Sequence, residues 1–481
     1  MLNSPGANAM NITLNQAIEM ALESSRAIEQ SEEDRDAARW NLSAVRRQSG
    51  PTLNYNAGYN KIGGSYYRTY RRSAGAPDYE TEMSNDVNVS IPIYSGGRME
   101  AQRQSAAYAL NETDLLLERT RQQVKYQTAN AYYKLLQARD LIKVQEEAVD
   151  VLNQHLGHVK IQYDVGTVPK SDMLATQVQL ANVQQNLDQA WGNYNTVMAQ
   201  LNNIIGLPIG TMLTIDDDLK YPRYTASEEY CLKYALSHRA DGIAAAYEVK
   251  RASENIKEAK SGTKPIVSAV FDTAMSGEDP FKRDHTDRHW TAGLQANWNI
   301  FDNGVTSASV KAARSAKRKA YSAAYQQLEA IQLEVHNAYI ILKTYEKNIK
   351  TSAAAIEQAE EEYRIAQVRY KEGVDTNLTV IDAQEKLTET RNKYYDALYN
   401  YNSAMASLEA AMGIPIGIDA QIYQAEESED GSAVDALAVS AVEEDSIDEE
   451  TGRLMKRSGR EIANAVMFDD ETTDNKPFSN K

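Results

Sequence analysis

The sequence contains a long tandem repeat, which limits the possible folds more than any other feature. Three short motifs each recur 207 residues further along the chain: Tyr163-Asp-Val-Gly166 as Tyr370-Lys-Glu-Gly373, Gly206-Leu-Pro-Ile-Gly210 as Gly413-Ile-Pro-Ile-Gly417, and Ile93-Tyr-Ser-Gly-Gly97 as Ile300-Phe-Asp-Asn-Gly304. Such repeats indicate one structural unit copied along the chain. We therefore predict repeat 1 over residues 1–222 and repeat 2 over residues 223–418, followed by a tail over residues 419–481.

Each copy has the same predicted order of elements: helix, strand, strand, very long helix, sharp turn and helix. The first helix is predicted to open at Thr13-Leu-Asn-Gln16, a capping box in which each side chain bonds the other residue's free backbone N–H. Its counterpart in repeat 2 is predicted to begin near Thr225 or Ser227. Both helices are predicted to run to just before a proline, Pro51 or Pro265.

The predicted strands alternate between apolar and polar residues. The apolar positions are Leu53, Tyr55, Ala57 and Tyr59 in one strand, Val87, Val89, Ile91 and Ile93 in the next, and Leu294, Ala296, Trp298 and Ile300 in repeat 2. Alternation over about ten residues is typical of a membrane β-barrel strand, with one face toward lipid and the other toward water. A hairpin packed on a soluble core would show the same alternation, so both interpretations stay open at this point.

A very long helix follows the strands in each copy, over Arg98–Tyr163 and Val305–Tyr370. Each stretch lacks proline, and at 1.5 Å per residue it would be about 100 Å long. In each stretch, one set of mostly apolar residues recurs at alternating steps of three and four, which predicts a coiled-coil seam. The seam positions are Leu135, Ala138, Ile142, Gln145, Val149, Leu152, Leu156, Val159 and Tyr163 in repeat 1, and Leu342, Tyr345, Ile349, Ser352, Ile356, Ala359, Tyr363, Ala366 and Tyr370 in repeat 2.

Each long helix is predicted to reverse at a glycine. Gly166 and Gly373 can adopt the left-handed conformation that ends a helix. Pro169 suits the first position of the helix that follows in repeat 1. In repeat 2, Asp375 can cap a helix that begins at Thr376. These residues predict two helical turns, which form the tip of the molecule.

The predicted helix lengths indicate a rod with strands at one end and turns at the other. The helix that returns from the first turn, about Asp172–Ile205, and the next opening helix, about Glu228–Ser261, would each be about 50 Å long. Placed end to end, they match one long helix. Four strands per chain cannot close a barrel, and open sheet edges are not tolerated in hydrocarbon. We therefore expect several chains to share one barrel.

The order of elements, the doubled unit and the Tyr-x-x-Gly turns together resemble the TolC family of outer-membrane efflux proteins over about residues 12–418. The resemblance implies a mainly α fold with a β-barrel: a homotrimer with four strands per chain in a twelve-stranded barrel, and a periplasmic α-barrel tunnel of coiled-coil helices. It implies a passive duct in outer-membrane lipid that serves tripartite efflux or type I secretion. The implied partners are a periplasmic adaptor protein and an inner-membrane RND or ABC transporter.

In this family the gate lies at the helical turns, where a tyrosine bonds an aspartate of the other turn when the tip is closed. The matching residues here are Tyr370 and Asp172. Acidic positions of family members match Thr379 and Asp382, of which only Asp382 is acidic here, and a family arginine is replaced by Asp375. The resemblance therefore implies a closing network that departs from the family pattern. Asp375 either restores acidity at the constriction or only caps a helix.

Composition argues against several other functions. The net charge of −17 argues against nucleic acid as a partner, since phosphate binding needs a basic surface. The single cysteine, Cys231, excludes an intramolecular disulfide framework and a cysteine zinc cluster. No Walker, Rossmann or Gly-x-Ser-x-Gly motif is present, so we expect neither an enzyme nor a bound cofactor. The alternative to a duct is a structural coiled-coil scaffold or tether of the cell envelope, which would not need the alternating hairpins.

Two pairs of histidines have metal-like spacing, but we expect neither pair to bind metal. His285 and His289 are predicted in a solvated hairpin loop, and His155 and His158 are predicted on the surface of the long helix, where no third ligand is evident.

Three segments outside the repeated elements carry separate predictions. Residues 66–72 combine tyrosines and arginines, and we expect them in a loop at the outer surface of the membrane. Residues 419–481 carry 17 acidic and 6 basic residues, which predicts a disordered acidic appendage. Residues 1–10 lack the basic start and apolar run of a signal peptide. A cytosolic protein and a sequence without its export signal would both lack these features, and the localisation that the resemblance implies leads us to expect that the signal has been removed.

Overall fold

The computed structural model of the chain describes residues 10–65, 69, 79–277, 286–414 and 416. The acidic tail predicted over residues 419–481 and His285 lie outside the described residues, as does the loop at 66–72 apart from Thr69. The helices are α1 (Leu14–Ser24), α2 (Arg26–Arg47), α3 (Arg98–Asp164), α4 (Lys170–Ile204), α5 (Glu228–His238), α6 (Ala240–Lys260), α7 (Val305–Lys371) and α8 (Asn377–Met412). The strands are β1 (Met10–Asn11), β2 (Thr52–Gly63), β3 (Tyr79–Tyr94), β4 (Leu213–Thr214), β5 (Ile266–Gly277) and β6 (Thr286–Asn297).

The two very long helices are present at the predicted positions. Helices α3 and α7 each have 67 residues and end one residue beyond the predicted boundary. Every position of the predicted seam is buried or half-buried, including Leu135 in α3 and Leu342 in α7. The 3-4 spacing therefore identified the packed face of both helices, as expected when helix stability comes from burying one apolar stripe.

The opening helix of each repeat is broken, which the sequence did not predict. Ser25 separates α1 from α2 and Arg239 separates α5 from α6, and both residues have extended backbones with ψ of 119° and 120°. Each residue bonds into the next helix, because its carbonyl accepts from the N–H four residues later, at 3.1 Å. A single residue thus interrupts the helix at the same place in both repeats.

Both predicted starts of the opening helices are confirmed. Thr13 and Gln16 form the reciprocal capping box at α1. Ser227, the second of the two predicted residues, caps α5 by accepting from the Tyr230 N–H at 3.2 Å. Local side-chain chemistry is enough to set these boundaries.

The four long strands form one antiparallel sheet in the order β2-β3-β5-β6. The central pair, β3 with β5, joins the two repeats. One face carries large apolar side chains that are exposed in the isolated chain, with Leu294 73% exposed. These side chains are Leu53, Tyr55, Tyr59, Phe271, Trp290 and Leu294. On the opposite face, the Asn56 amide donates to the Asp86 carboxylate at 2.7 Å.

The last strand ends earlier than predicted, so Trp298 and Ile300 lie beyond it. The final pair of the ladder is Ile266 with Asn297. Pro265 precedes Ile266 and has no N–H to donate, so it cannot extend the ladder. The indole N–H of Trp298 donates instead to the Thr263 carbonyl at 3.0 Å.

Packing divides the chain into two compact units, and each takes parts of both repeats. One comprises the described parts of Met1–Ser31, Leu115–Ile243 and Gln326–Lys481, and the other comprises those of Glu32–Asp114 and Ala244–Tyr325. The second unit contains the four-stranded sheet and the first contains the helical turns. Within the described ranges, no helix combines the length with the apolarity needed to cross a membrane.

Candidate gate at the helical turns

Both long helices end in a left-handed glycine, as predicted. Gly166 has φ of +80° and Gly373 has φ of +72°. The Gly166 N–H donates to the Tyr163 carbonyl and the Thr167 N–H donates to the Gln162 carbonyl, both at 2.9 Å. This pair of bonds is a Schellman motif, which satisfies carbonyls that a helix end leaves free. Glycine is needed for its backbone conformation, since a Cβ at either position would meet no other atom within 4 Å.

The second turn forms the same motif at the equivalent positions. The Gly373 N–H donates to the Tyr370 carbonyl at 3.0 Å, and the Val374 N–H donates to the Arg369 carbonyl at 2.9 Å. The two repeats therefore reverse direction by one shared mechanism, although the residues that follow each glycine differ.

The helix starts after the turns differ from the prediction by one residue. Pro169 is the residue before α4, not its first residue, and has an extended ψ of 157°. Thr376, not Asp375, is the cap of α8, and its hydroxyl accepts from the Thr379 N–H at 3.4 Å. A capping residue needs an extended backbone, and Thr376 has ψ of 156°.

Asp375 reinforces this cap from outside the helix. Its carboxylate accepts from the Thr379 hydroxyl at 2.7 Å and from the Thr376 N–H at 2.9 Å. These two hydrogen bonds hold the pKa of Asp375 below its ordinary value, and Arg369, with its Nε 3.5 Å away, adds to the effect. The carboxylate is thus negative and committed to the turn, while Asp382 is exposed on α8.

Tyr370 and Asp172 lie near each other, but the hydrogen bond expected between them is not formed in this chain. Tyr370 is 7% exposed, and its hydroxyl has no hydrogen-bond partner among the described residues. Burial and the negative charge of Asp172 raise the pKa of Tyr370. The Asp172 carboxylate accepts instead from the hydroxyl of its neighbour Ser171 at 3.3 Å.

The link between the two turns uses the backbone carbonyl of Asp172. The Asn377 side-chain amide, at the first position of α8, donates to this carbonyl at 3.0 Å and to the Thr176 hydroxyl of α4 at 3.0 Å. His155 Nε2 of α3 lies 2.7 Å from Asn377 Oδ1. Asn377 is 3% exposed and His155 6% exposed. Three helices therefore meet in one buried polar network.

The prediction of a surface position is wrong for His155 and holds for His158, which is exposed. A signal was present in the sequence, because His155 lies three residues after Leu152 and four before Val159 in the predicted seam. Residues at these spacings share a helix face. The role of Asn377 had no local signal, since its partners are 201 and 205 residues away.

Of the other predicted histidine pair, the structure describes His289 only, and it lies in a strand. His289 is in β6, paired with Ala274 of β5, and not in a loop. Across the part of the chain that the structure describes, no group of three or more histidine, cysteine or acidic side chains could hold a metal ion.

A comparison with known proteins identifies the family. The family described as "Outer membrane efflux protein" matches residues 17–207 and 231–414. The chain belongs to this family. The two matched segments each fall in one of the two repeats, which confirms the tandem architecture. The family role is efflux through the outer membrane, so the predicted localisation and the general role of an export duct are also confirmed.

The chain is similar in sequence and in fold to characterised outer-membrane channels. It is 22% identical over 412 residues to the outer membrane protein TolC of Salmonella enteritidis, covering 83% of this chain and 82% of that protein. The fold matches the CmeC outer membrane channel of Campylobacter jejuni with a TM-score of 0.72 and 16% identity, covering 83% and 85% of the two chains. It matches VceC of Vibrio cholerae with a TM-score of 0.71 and 19% identity, covering 83% and 96%.

Proposed function

We propose that the chain is one protomer of a trimeric, passive duct that carries substrates from an inner-membrane RND or ABC transporter to the outside. The apolar face of the four-stranded sheet supports this proposal most. Burying one large apolar side chain stabilises a protein by about 1.5–3 kcal/mol. Six such side chains lie exposed on one face of the isolated chain. Outer-membrane lipid would cover this face, whereas an aqueous scaffold would leave it in water.

The edges of the sheet support a homotrimer. Strands β2 and β6 lie at the two ends of the sheet, and each pairs on one side only among the described residues. Unpaired backbone groups are very unfavourable in hydrocarbon. In a ring of three chains, β6 of each protomer would pair with β2 of the next, which closes twelve strands and leaves no edge.

The helical turns are proposed as the gate and as the site for the periplasmic adaptor. Exposed apolar side chains surround both turns, among them Val165 in the first and Val374 and Leu378 in the second. An adaptor could cover these side chains. The gate would be formed by Asp172, Tyr370, Asp375, Thr379 and Asp382, with three copies in a trimer. It would open when the two turns move apart.

Two matched substitutions on neighbouring residues of β6 test the proposed barrel. Leu294 lies on the apolar face, and Gln295 points to the opposite face. An arginine on the lipid face near the bilayer centre destabilises a barrel by about 2–4 kcal/mol. Leu294→Arg should therefore reduce the amount of trimer in outer-membrane extracts, while Gln295→Arg should leave it near the parent level. The measurement is size-exclusion chromatography with light scattering in detergent, before and after heating.

Conductance in planar bilayers then distinguishes a duct from a scaffold. The parent protein should insert and conduct ions in steps of uniform size. A stable monomer in detergent-free buffer would refute the shared barrel. A heat-sensitive trimer that never conducts, even with the turns separated, would favour the scaffold.

A further inference from the structure

A buried polar joint holds the two helical turns together, and it contains one ionisable side chain, the imidazole of His155. We define the turn joint as His155 of α3, Thr176 of α4, Asn377 of α8 and the backbone carbonyl of Asp172. Its bonds are the Asn377 amide to the Asp172 carbonyl at 3.0 Å, the Asn377 amide to Thr176 at 3.0 Å, and His155 Nε2 to Asn377 Oδ1 at 2.7 Å. The joint links a residue of the first turn to one of the second.

The hydrogen bonds determine the orientation of the Asn377 amide. The Asp172 carbonyl can only accept a hydrogen bond. The atom of Asn377 that faces it must therefore be the NH2 group, since the reversed amide would place two acceptors 3.0 Å apart. Asn377 Oδ1 then faces His155, and it too can only accept.

The same reasoning determines the tautomer of His155. Because Asn377 Oδ1 is an acceptor, His155 Nε2 must carry the proton and donate it. In the neutral ring, Nδ1 is then unprotonated. Adding a second proton would place a positive charge on a ring that is 6% exposed, and burying a charge without a counter-ion is strongly unfavourable.

Among the described residues, no acidic side chain acts on the His155 ring. His158 on α3 and Lys371 on α7 add positive charge, and burial together with these two groups lowers the pKa of His155, against the opposing effect of the hydrogen bond to Asn377. From α7, the Tyr370 ring lies 5.5 Å from the imidazole and is neutral. The α8 side chain in contact is the uncharged amide of Asn377. From α4, the negative charge of the Asp172 carboxylate raises the pKa of Tyr370.

We propose that the turn joint is an acid-sensitive closure of the gate: the turns stay joined while His155 is neutral, and its protonation separates them. This inference rests on the proposed function for its biological meaning. The joint itself is a property of one chain and can be tested without any conductance.

The direction of the pH effect follows from linkage. His155 has a lowered pKa in the joined state, and an exposed imidazole in the separated state would titrate at about 6.5. The joint is therefore most stable above pH 6.5 and weakens as the pH falls below it, because the separated state binds the proton more tightly. For each protomer, the joined-to-separated ratio should fall by at most about tenfold per pH unit in this window.

The test measures the distance between the two turns in the full-length, detergent-solubilised protein. Nitroxide labels would be placed at the exposed positions Lys170→Cys and Glu372→Cys, in a background with the buried Cys231 changed to serine. Pulsed electron spin resonance would be recorded at pH 7.5 and pH 5.5. The parent should show a several-fold larger population of long distances at pH 5.5.

His155→Gln is the decisive variant, because the glutamine amide can donate to Asn377 Oδ1 and does not titrate. It should keep the turns joined at both pH values. His158→Gln is the matched control, since His158 is exposed one turn further along α3. Its turns should still separate in acid, with a somewhat weaker response than the parent because one positive charge that acts on His155 is removed. The inference is overturned if His155→Gln responds like the parent, or if the parent does not respond.

Asn377→Asp provides a second test that does not depend on the fold tolerating His155→Gln. A carboxylate cannot donate to the Asp172 carbonyl, and the substitution would place two acceptors 3.0 Å apart. The turns of this variant should therefore be separated already at pH 7.5, and turns that stay joined at pH 7.5 would contradict the inference. Bilayer conductance recorded in parallel distinguishes this inference from the proposed function. If the distance between the turns responds to pH but the protein conducts at no pH, the duct is refuted. If the protein conducts but the turns of His155→Gln separate in acid as in the parent, the acid-sensitive joint is refuted.

Discussion

The buried hydroxyl of Tyr370 leads to a prediction whose sign differs from the one that the family resemblance implies. By resemblance, this hydroxyl bonds Asp172 and closes the gate, so its removal should loosen the tip. In the structure, the hydroxyl is buried and has no partner among the described residues. Tyr370→Phe should therefore favour the joined turns, because phenylalanine keeps the ring and removes an unsatisfied polar group.

The magnitude follows from the loss of hydration. A buried donor without a partner costs about 1–3 kcal/mol, and we expect Tyr370→Phe to recover about 1–2 kcal/mol of this. A change of that size alters a two-state ratio by about 5–30-fold. Tyr370 packs with Val159, Ala366, Val380 and Ala383, so an apolar ring edge suits the site.

The assay is the distance measurement between labels at the two turns, at pH 7.5, together with single-channel conductance. Tyr370→Phe should reduce both the separated population and the mean conductance. Tyr163→Phe is the matched control, because Tyr163 occupies the equivalent position of repeat 1 and is only half-buried; it should change the ratio by less than about 0.5 kcal/mol. Higher conductance in Tyr370→Phe would refute the reasoning and show that the hydroxyl finds a partner in the assembled protein.

Three further predictions concern the turns, the broken helix and the constriction. Gly373→Ala should destabilise its turn by about 1–2 kcal/mol, since alanine resists a left-handed backbone. The control Gly157→Ala, inside α3, should instead stabilise the protein by up to about 1 kcal/mol, and equal melting temperatures for the two variants would contradict this difference. Arg239→Ala should cost about 3–5 kcal/mol in thermal unfolding, because this buried guanidinium bonds the Asp241 carboxylate and the Ala411 carbonyl; a loss below 1 kcal/mol would mean that Arg239 acts as a surface ion pair. In the proposed trimer, Asp382→Ala would remove a ring of three exposed carboxylates, so it should weaken cation preference in planar bilayers. Unchanged selectivity would place the constriction elsewhere, with Asp375 tested next.

Several features of the fold were predictable because their causes are local. The capping box at Thr13 and Gln16 satisfies two N–H groups within one turn of helix. Gly166 and Gly373 end the long helices because few other residues accept a positive φ. The 3-4 seam was predictable for a similar reason, since helix periodicity places all its members on one face. The repeat then doubled each of these signals.

Other features had no cause that a local pattern could reveal. The extended residues Ser25 and Arg239 interrupt good helical sequence, and Arg239 is held there by Asp241 and by the distant end of α8. The pairing of β3 with β5 joins strands from different repeats. Alternation of apolar and polar residues determines which face of a strand is buried, but not which strand lies beside it. Asp375 lies next to the cap because Thr376 takes the capping conformation.

The sequence by itself determined the repeated unit, the long helices, the glycine turns and the outer-membrane family, because each depends on periodicity, on the backbone of one residue or on motif order. Only the tertiary structure decided which polar groups meet at the tip. Asn377 contacts residues more than 200 positions away, and Tyr370 lies near Asp172 without bonding it. A change of a few tenths of an ångström in the distance between two polar atoms decides whether a hydrogen bond forms. Between helices, that distance is set by packing rather than by any short stretch of sequence.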